Sequence, residues 1–206
     1  SIIFSDILLI PWAMDRNVHF INNKGPRLDI VNSIDDIEIF ADLNLSNKYE
    51  AVGKAVKKTR QALPKEIALI GFSGAPWTLM TYLFEGGSSR DFANTKSFLW
   101  QHPDDAIEIV EILTNKVAEF LLVQAKQGVN ALMLFDSWAS AVPAKWRNEI
   151  IYKPHQRLIE ILRKNGVELP FIGFPKGIGE GLVAYANEVE ANCIALDQHT
   201  DPLWAN

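Results

Sequence analysis

Ile67-Ala68-Leu69-Ile70-Gly71-Phe72-Ser73-Gly74-Ala75-Pro76 reads as a buried strand, a tight turn at Gly74 and the first residue of a helix at Pro76. The apolar run 67–72 is continuous rather than alternating, as expected of a strand covered on both faces. Glycine suits the turn and proline the first helical position. Runs 131–135, 170–174 and 193–196 have the same character, and with 2–4 they make five predicted strands. Helical patterns lie between them. The clearest opens at Pro103-Asp104-Asp105, repeats through Ile107, Val110, Leu113, Val117, Phe120, Leu121 and Gln124, and stops at Gly128. Others are predicted over 47–63, over 152–164 and over 179–186, with further starts at Pro76 and near Arg90.

Strands alternating with helices imply an α/β fold with a parallel sheet. An open doubly wound sheet and a (β/α)8 TIM barrel both fit. No G-x-G-x-x-G follows a strand; Gly177-x-Gly179-x-Gly181 has the wrong spacing. Polar or special residues stand at the strand C-terminal ends: Ser5-Asp6, Ser73-Gly74, Asp136-Ser137, Pro175-Lys176 and Asp197. That is where barrels carry their sites, so the barrel is favoured. Five strands cannot close one. The expectation is a single domain over 1–206, about five to six βα units of one barrel, truncated at both ends. The irregular stretch 18–26 reads as an excursion or a hairpin over the barrel mouth.

The 206 residues are 48% hydrophobic and 22% charged, the balance of a globular chain with a core of its own. No apolar run approaches the length of a membrane span, so no membrane partner is expected. The net charge of −5 argues against nucleic acid. Cys193 stands alone, which excludes an internal disulfide and any multi-cysteine metal site. His19, His102, His155 and His199 are scattered, so no metal is expected. The expected location is the cytoplasm.

Asp6 stands between two apolar blocks, Ile2-Ile3-Phe4 and Ile7-Leu8-Leu9-Ile10. An ionised carboxylate there needs donors or a cation to meet it. It serves either a site or the cap of the next helix. Tyr82 lies about two turns into the helix that starts at Pro76. Gly86-Gly87-Ser88-Ser89 follows as a flexible turn whose serines suit a cap and whose N–H groups suit a carboxylate. Arg90 and Lys176 read as surface or paired cations rather than as partners of substrate carboxylates, the other reading open to them, and Trp77, Trp100, Trp138 and Trp146 as packing residues rather than stacking platforms.

The motif from Gly71 to Ser89 resembles the uroporphyrinogen decarboxylase family. Phe4-Ser5-Asp6-Ile7-Leu8 resembles its second barrel strand, Leu134-Phe135-Asp136-Ser137-Trp138-Ala139 its segment with a substrate-binding hydroxyl, and Ala195-Leu196-Asp197 its Leu-Asp-Trp strand end. The resemblance runs in order through the whole chain. It implies a TIM-barrel carbon–carbon lyase that is a homodimer, uses no cofactor and acts in heme biosynthesis. Its substrate would be uroporphyrinogen III, whose four acetate groups lose CO2 to give coproporphyrinogen III. Asp6 and Tyr82 match the family's catalytic residues, and Phe4, Ser5, Asp6, Tyr82 and Ser137 its substrate-binding residues. Asp6 would face the pyrrole N–H groups and stabilise the cationic ring that accepts electrons as CO2 leaves. Ser140 and Gln198 depart from the family pattern, and neither its N-terminal arginine motif nor its C-terminal histidine segment is in this sequence. The fragment alone is therefore expected to be inactive. Two other readings compete: the related zinc-binding methyltransferases, whose His-x-Cys segment is replaced here by Phe174-Pro175-Lys176-Gly177, and a catalytically dead scaffold.

Overall fold

The structure, a computed structural model, describes residues 1–3, 5–21 and 25–205. In chain order the elements are α1 (Leu9–Ala13), β1 (Val18–Ile21), β2 (Gly25–Leu28), α2 (Asp35–Glu38) and α3 (Glu50–Ala62). Then come β3 (Ile70–Gly74), α4 (Pro76–Glu85), α5 (Ala93–Gln101), α6 (Pro103–Ala125) and β4 (Ala131–Asp136). The chain ends with α7 (Lys153–Lys164), β5 (Phe171–Pro175), α8 (Gly181–Glu188) and β6 (Cys193–Ile194). Strands β3, β4, β5 and β6 pair in sequence order, all parallel, with Ile70 opposite Ala131 and Leu132 opposite Phe171. Helices connect each strand to the next, as a (β/α)8 barrel requires.

The helices follow the sequence closely. In α6 Pro103 opens the first turn, with Asp104 and Asp105 beside it, and Val110, Leu113, Val117, Phe120 and Leu121 are buried. The predicted helix over 47–63 starts as a 3-10 turn, Ser46–Tyr49, before α3. The helix predicted from 152 is preceded by a π-helical turn, Asn148–Tyr152. The hairpin expectation holds: β1 and β2 pair antiparallel from Val18–Leu28 to Ile21–Gly25.

The first predicted strand, 2–4, is described only in part: Phe4 lies outside the described residues, and Ile2 makes one parallel bridge to Ile70, whose N–H donates to the Ser1 carbonyl at 2.8 Å. Further along β3, a side chain of α6 does the pairing. The Gln124 side chain takes the place of a neighbouring strand: its Oε1 accepts from the Phe72 N–H at 2.9 Å and its Nε2 donates to the Phe72 carbonyl at 2.8 Å. Gly71 makes this possible, since a Cβ there would stand 3.1 Å from Gln124 Oε1. Gln124→Leu keeps the volume but leaves both Phe72 backbone groups unpaired. It is expected to lower stability by about 2 kcal/mol in urea unfolding. A loss under about 0.5 kcal/mol would mean that water replaces the amide.

The strand N-termini are tied by a device that occurs twice, although the sequence shows no repeat. Arg60 donates to the carbonyls of Leu63, Pro64 and Ile67 and to Asn130 Oδ1, which also accepts the Leu69 N–H at 2.8 Å. Arg163 donates to the carbonyls of Val167 and Leu169 and to Asn192 Oδ1, which accepts the Phe171 N–H at 2.8 Å. Each arginine ends one helix and fixes the start of the next strand. Both act at the stability end of the sheet, leaving the other end for the site.

The two faces of the sheet differ. Leu132, Leu134, Asp136, Phe171 and Gly173 are buried toward the helices. Phe72, Met133, Phe135, Ile172 and Phe174 point the other way and are half-buried, so the inner face is not covered as the continuous apolar runs suggested. Phe72, Phe135 and Phe174 form an edge-to-face row there, with centroids 5.7 and 5.9 Å apart.

Candidate active site

Asp6 leads from the Ile2 bridge into α1. Its Oδ1 accepts the Leu8 N–H at 2.8 Å and its carbonyl the Leu9 N–H at 3.1 Å. One carboxylate oxygen therefore shapes the turn that leads into α1, although the N-cap residue of that helix, Leu8, has no side-chain cap. The other makes no hydrogen bond among the described residues. A hollow of about 400 Å³ lies beside it, walled by Ile2, Ser5, Asp6, Ile7, Pro26, Phe72 and Phe135. Apart from Ser5 and Asp6, its side chains are apolar.

Gly74 brings this segment to β3, though for a different reason from the one expected. Its φ is not positive, so no left-handed turn requires glycine. A Cβ there would stand 2.5 Å from Ile7 Cγ1 and 2.7 Å from Ile7 Cδ1, so glycine serves a close approach. Left-handed Gly86 (φ 67°) then ends α4. Its carbonyl accepts the Leu28 N–H at 3.1 Å and that of Leu83 the Val31 N–H at 2.8 Å, which docks the hairpin on the end of α4.

Tyr82 stands on α4 near Asp6. Burial raises its phenol above the usual value; Trp138, close enough to donate to it, opposes this, and the Asp6 charge adds to the rise. The phenol stays protonated at neutral pH and is a hydrogen-bond donor. Trp138 is more than packing. Trp77 Nε1 donates to its carbonyl at 2.9 Å, and its ring lies 5.1 Å from that of Phe92. Phe92 is held at φ 55°, a conformation rare for a bulky residue, and Ser89 Oγ caps its N–H at 3.1 Å.

Asp6, Ser5 and Tyr82 thus share one rim. Ser137, half-buried, follows the C-terminal end of β4, and its hydroxyl makes no hydrogen bond among the described residues. Phe4 lies outside the described residues. Arg90 is exposed and Lys176 half-buried, and neither makes an ion pair among them. Phe72, Phe135 and Pro26 were missed as lining residues. Parity offered a signal, because Phe135 shares the inner face with Ser137. The same parity separates Asp136 from Ser137: Asp136 is fully buried on the helix side. Asp197 stitches the rim. The His199 N–H foremost, and that of Gly177, hold its carboxyl below the usual range.

Other hollows carry less chemistry. One of about 420 Å³ on the outer helices is lined by Glu111, Glu149, Lys153 and Arg157, which pair with one another or with Glu160. Another of about 690 Å³, between α8 and the C-terminal turn, has no charged side chain in its lining. Among the described residues no three His, Cys, Asp or Glu side chains gather as a metal site requires, and no helix is long and apolar enough to cross a membrane.

Residues 1–206 match the family described as Uroporphyrinogen decarboxylase (URO-D). The chain belongs to the uroporphyrinogen decarboxylase family. It is 36% identical to the uroporphyrinogen decarboxylase of Maricaulis maris, over 99% of this chain and 59% of that protein. It is 38% identical to that of Rickettsia bellii, over 100% of this chain and 62% of the relative. It is also 36% identical to that of Rhodospirillum rubrum, over 100% and 59%. The chain therefore spans about three fifths of the length of the curated relatives it matches. Among solved structures it resembles a methyltransferase from Methanosarcina mazei, with TM-score 0.64 and 11% identity over 84% of this chain and 50% of that one. That likeness concerns the fold alone. The four parallel strands and their helices are an arc of the (β/α)8 barrel of the uroporphyrinogen decarboxylase family.

Proposed function

We propose that the full-length protein decarboxylates uroporphyrinogen III to coproporphyrinogen III, with this chain supplying the carboxylate at the centre of the site. One observation carries the reading: in a chain of this family, Asp6 stands at an apolar-walled hollow with one carboxylate oxygen that makes no hydrogen bond among the described residues, and the Tyr82 phenol is nearby.

The chemistry needs an electron sink. Protonating a pyrrole ring carbon makes the ring cationic. The electrons of the breaking carbon–carbon bond then flow into that ring as CO2 leaves, giving an exocyclic methylene; that carbon takes a proton to become the methyl group, and the ring carbon loses the proton it first gained. The sink is the substrate's own ring, and the reading calls for neither cofactor nor metal. An anion beside the ring stabilises the cation more than the neutral ground state, which is what speeds the step. Asp6 has that role and meets the pyrrole N–H groups. Tyr82 donates a hydrogen bond that steadies Asp6. Ser137, Ser5 and Phe4 contact the macrocycle or its side chains. The chain is part of one domain, the protein is a homodimer in the cytoplasm, and neither nucleic acid nor membrane is a partner.

The test is CO2 release from uroporphyrinogen III by the full-length protein under anaerobic conditions, with the porphyrinogen products separated by chromatography. Stepwise loss of the acetate carboxylates is expected. Stoichiometric, tightly bound zinc together with no CO2 release would point to the methyltransferase chemistry instead. An inactive, metal-free protein would support the scaffold.

A further inference from the structure

Behind the rim, on the helix side of β4, lies a fully buried polar chain that the proposed mechanism does not use. Asp136, His155 and Thr78 have no exposed surface, nor has Tyr185. The Thr78 hydroxyl donates to Asp136 Oδ1 at 2.7 Å. His155 Nε2 stands 3.6 Å from Asp136 Oδ2, and neither atom makes a hydrogen bond elsewhere among the described residues. His155 Nδ1 lies 3.0 Å from the Tyr185 hydroxyl. Asp136 Oδ2 can only accept, so the imidazole Nε2 that faces it carries the ring proton and leaves Nδ1 to accept from the Tyr185 hydroxyl. Burial first, then the Asp136 charge, raises the Tyr185 phenol, in keeping with its role as a donor. Gly173 leaves room for this arrangement, since a Cβ there would stand 2.2 Å from the Tyr185 oxygen.

The chain reaches the site through one peptide. Thr78 Oγ1 faces the Trp138 N–H at 3.4 Å, and Trp77 Nε1 holds the Trp138 carbonyl at 2.9 Å. The Trp138 backbone is thereby held at both its N–H and its carbonyl by consecutive residues of α4. Ser137 lies between Asp136 and Trp138, and Tyr82 is one turn beyond Thr78 on the same helix. Burying a carboxylate costs several kcal/mol, and an aliphatic side chain would fill the space without that cost.

We infer that the buried Asp136–His155 pair is a positioning device that sets the Ser137–Trp138 turn, and with it Tyr82, relative to Asp6. Neither residue touches substrate. The inference rests on the proposed decarboxylation for its kinetic consequence, but not for its geometric one.

The test compares His155→Leu, which removes the donor, with His155→Gln, whose amide keeps an N–H near the Nε2 position, both in the full-length protein. His155→Leu is expected to lower kcat at least about tenfold with KM within about threefold. His155→Gln is expected to recover most of the loss. Asp136→Asn keeps the Thr78 bond and the volume, and it carries the same expectation if His155→Leu does not fold. The second readout needs no substrate. Hydrogen exchange at the Trp77 indole N–H, followed by NMR, reports the hold on the Trp138 carbonyl. It is expected to quicken by about tenfold in His155→Leu, or in Asp136→Asn, and not in His155→Gln. Unchanged exchange overturns the inference, as does a loss of kcat that His155→Gln shares equally. If the wild-type protein releases no CO2, the proposed function fails and the indole exchange still decides the clamp.

Discussion

Replacing Asp6 by asparagine in the full-length protein is expected to lower kcat for CO2 release by about a thousandfold while the fold survives. The substitution separates the two jobs of this side chain. An asparagine Oδ1 still accepts the Leu8 N–H that the carboxylate holds at 2.8 Å, so α1 starts as before. What disappears is the charge. At about 4 Å and an effective dielectric of about 20, a unit charge is worth about 4 kcal/mol to a cationic ring. At about 1.4 kcal/mol per tenfold in rate, that is about three powers of ten. The porphyrinogen gains its positive charge only on the way to the transition state, so KM should move far less than kcat. Asp6→Ala would add the loss of the Leu8 acceptor and mix stability with catalysis. Kinetics of CO2 release, with circular dichroism for the fold, check the result; a drop of less than about tenfold removes Asp6 from the mechanism.

Much of this site could be read from residue order. A parallel α/β sheet places its strand C-terminal ends together, so Asp6, Ser137 and Asp197 are expected at one end of the sheet once the strands are found. The ends of α6 followed from Pro103 and Gly128. Periodicity names a face but not the partner on it, and there the reading stopped. Gln124 fits an apolar helix stripe by spacing, yet its amide completes the hydrogen bonding of Phe72, 52 residues away. Asp136 and Ser137 look like one polar strand end, yet they face opposite sides of the sheet. His155 has no distinguishing neighbour in sequence, and its partners Asp136 and Tyr185 lie on other elements. One edge of β3 is shared between two partners: Ile2 bridges Ile70, and Gln124 pairs with Phe72. Arg60 and Arg163 perform one task at two strand starts, with only the Arg and Asn types in common.

Gly74→Ala tests whether a packing contact sets the position of the Asp6 carboxylate. The added methyl would lie 2.5 and 2.7 Å from two Ile7 carbons, against about 3.5–4.0 Å for carbon atoms in contact. Something has to move by about 1 Å. Strand β3 is the stiffer partner: it is paired along β4, and the Ala75 N–H donates to the Phe135 carbonyl at 2.9 Å just past Gly74. Ile7 is half-buried, with the hollow on its other side, so Ile7 gives way and takes its neighbour Asp6 with it. Overpacking of this size costs about 1–3 kcal/mol of stability. A displacement of about 1 Å at a charged group lowers kcat by about a hundredfold. Those two effects could be confused in the single variant, and Ile7→Ala separates them. Alone it removes the clashing atoms from a site that has no clash and costs packing. Combined with Gly74→Ala it makes room for the new methyl, so the double variant should be more active than Gly74→Ala even though it carries one more core truncation. Independent effects would multiply instead. A double variant no faster than Gly74→Ala would show that the Ile7–Gly74 contact does not hold Asp6 in place, and that β1, β2 and the rest of the barrel mouth do.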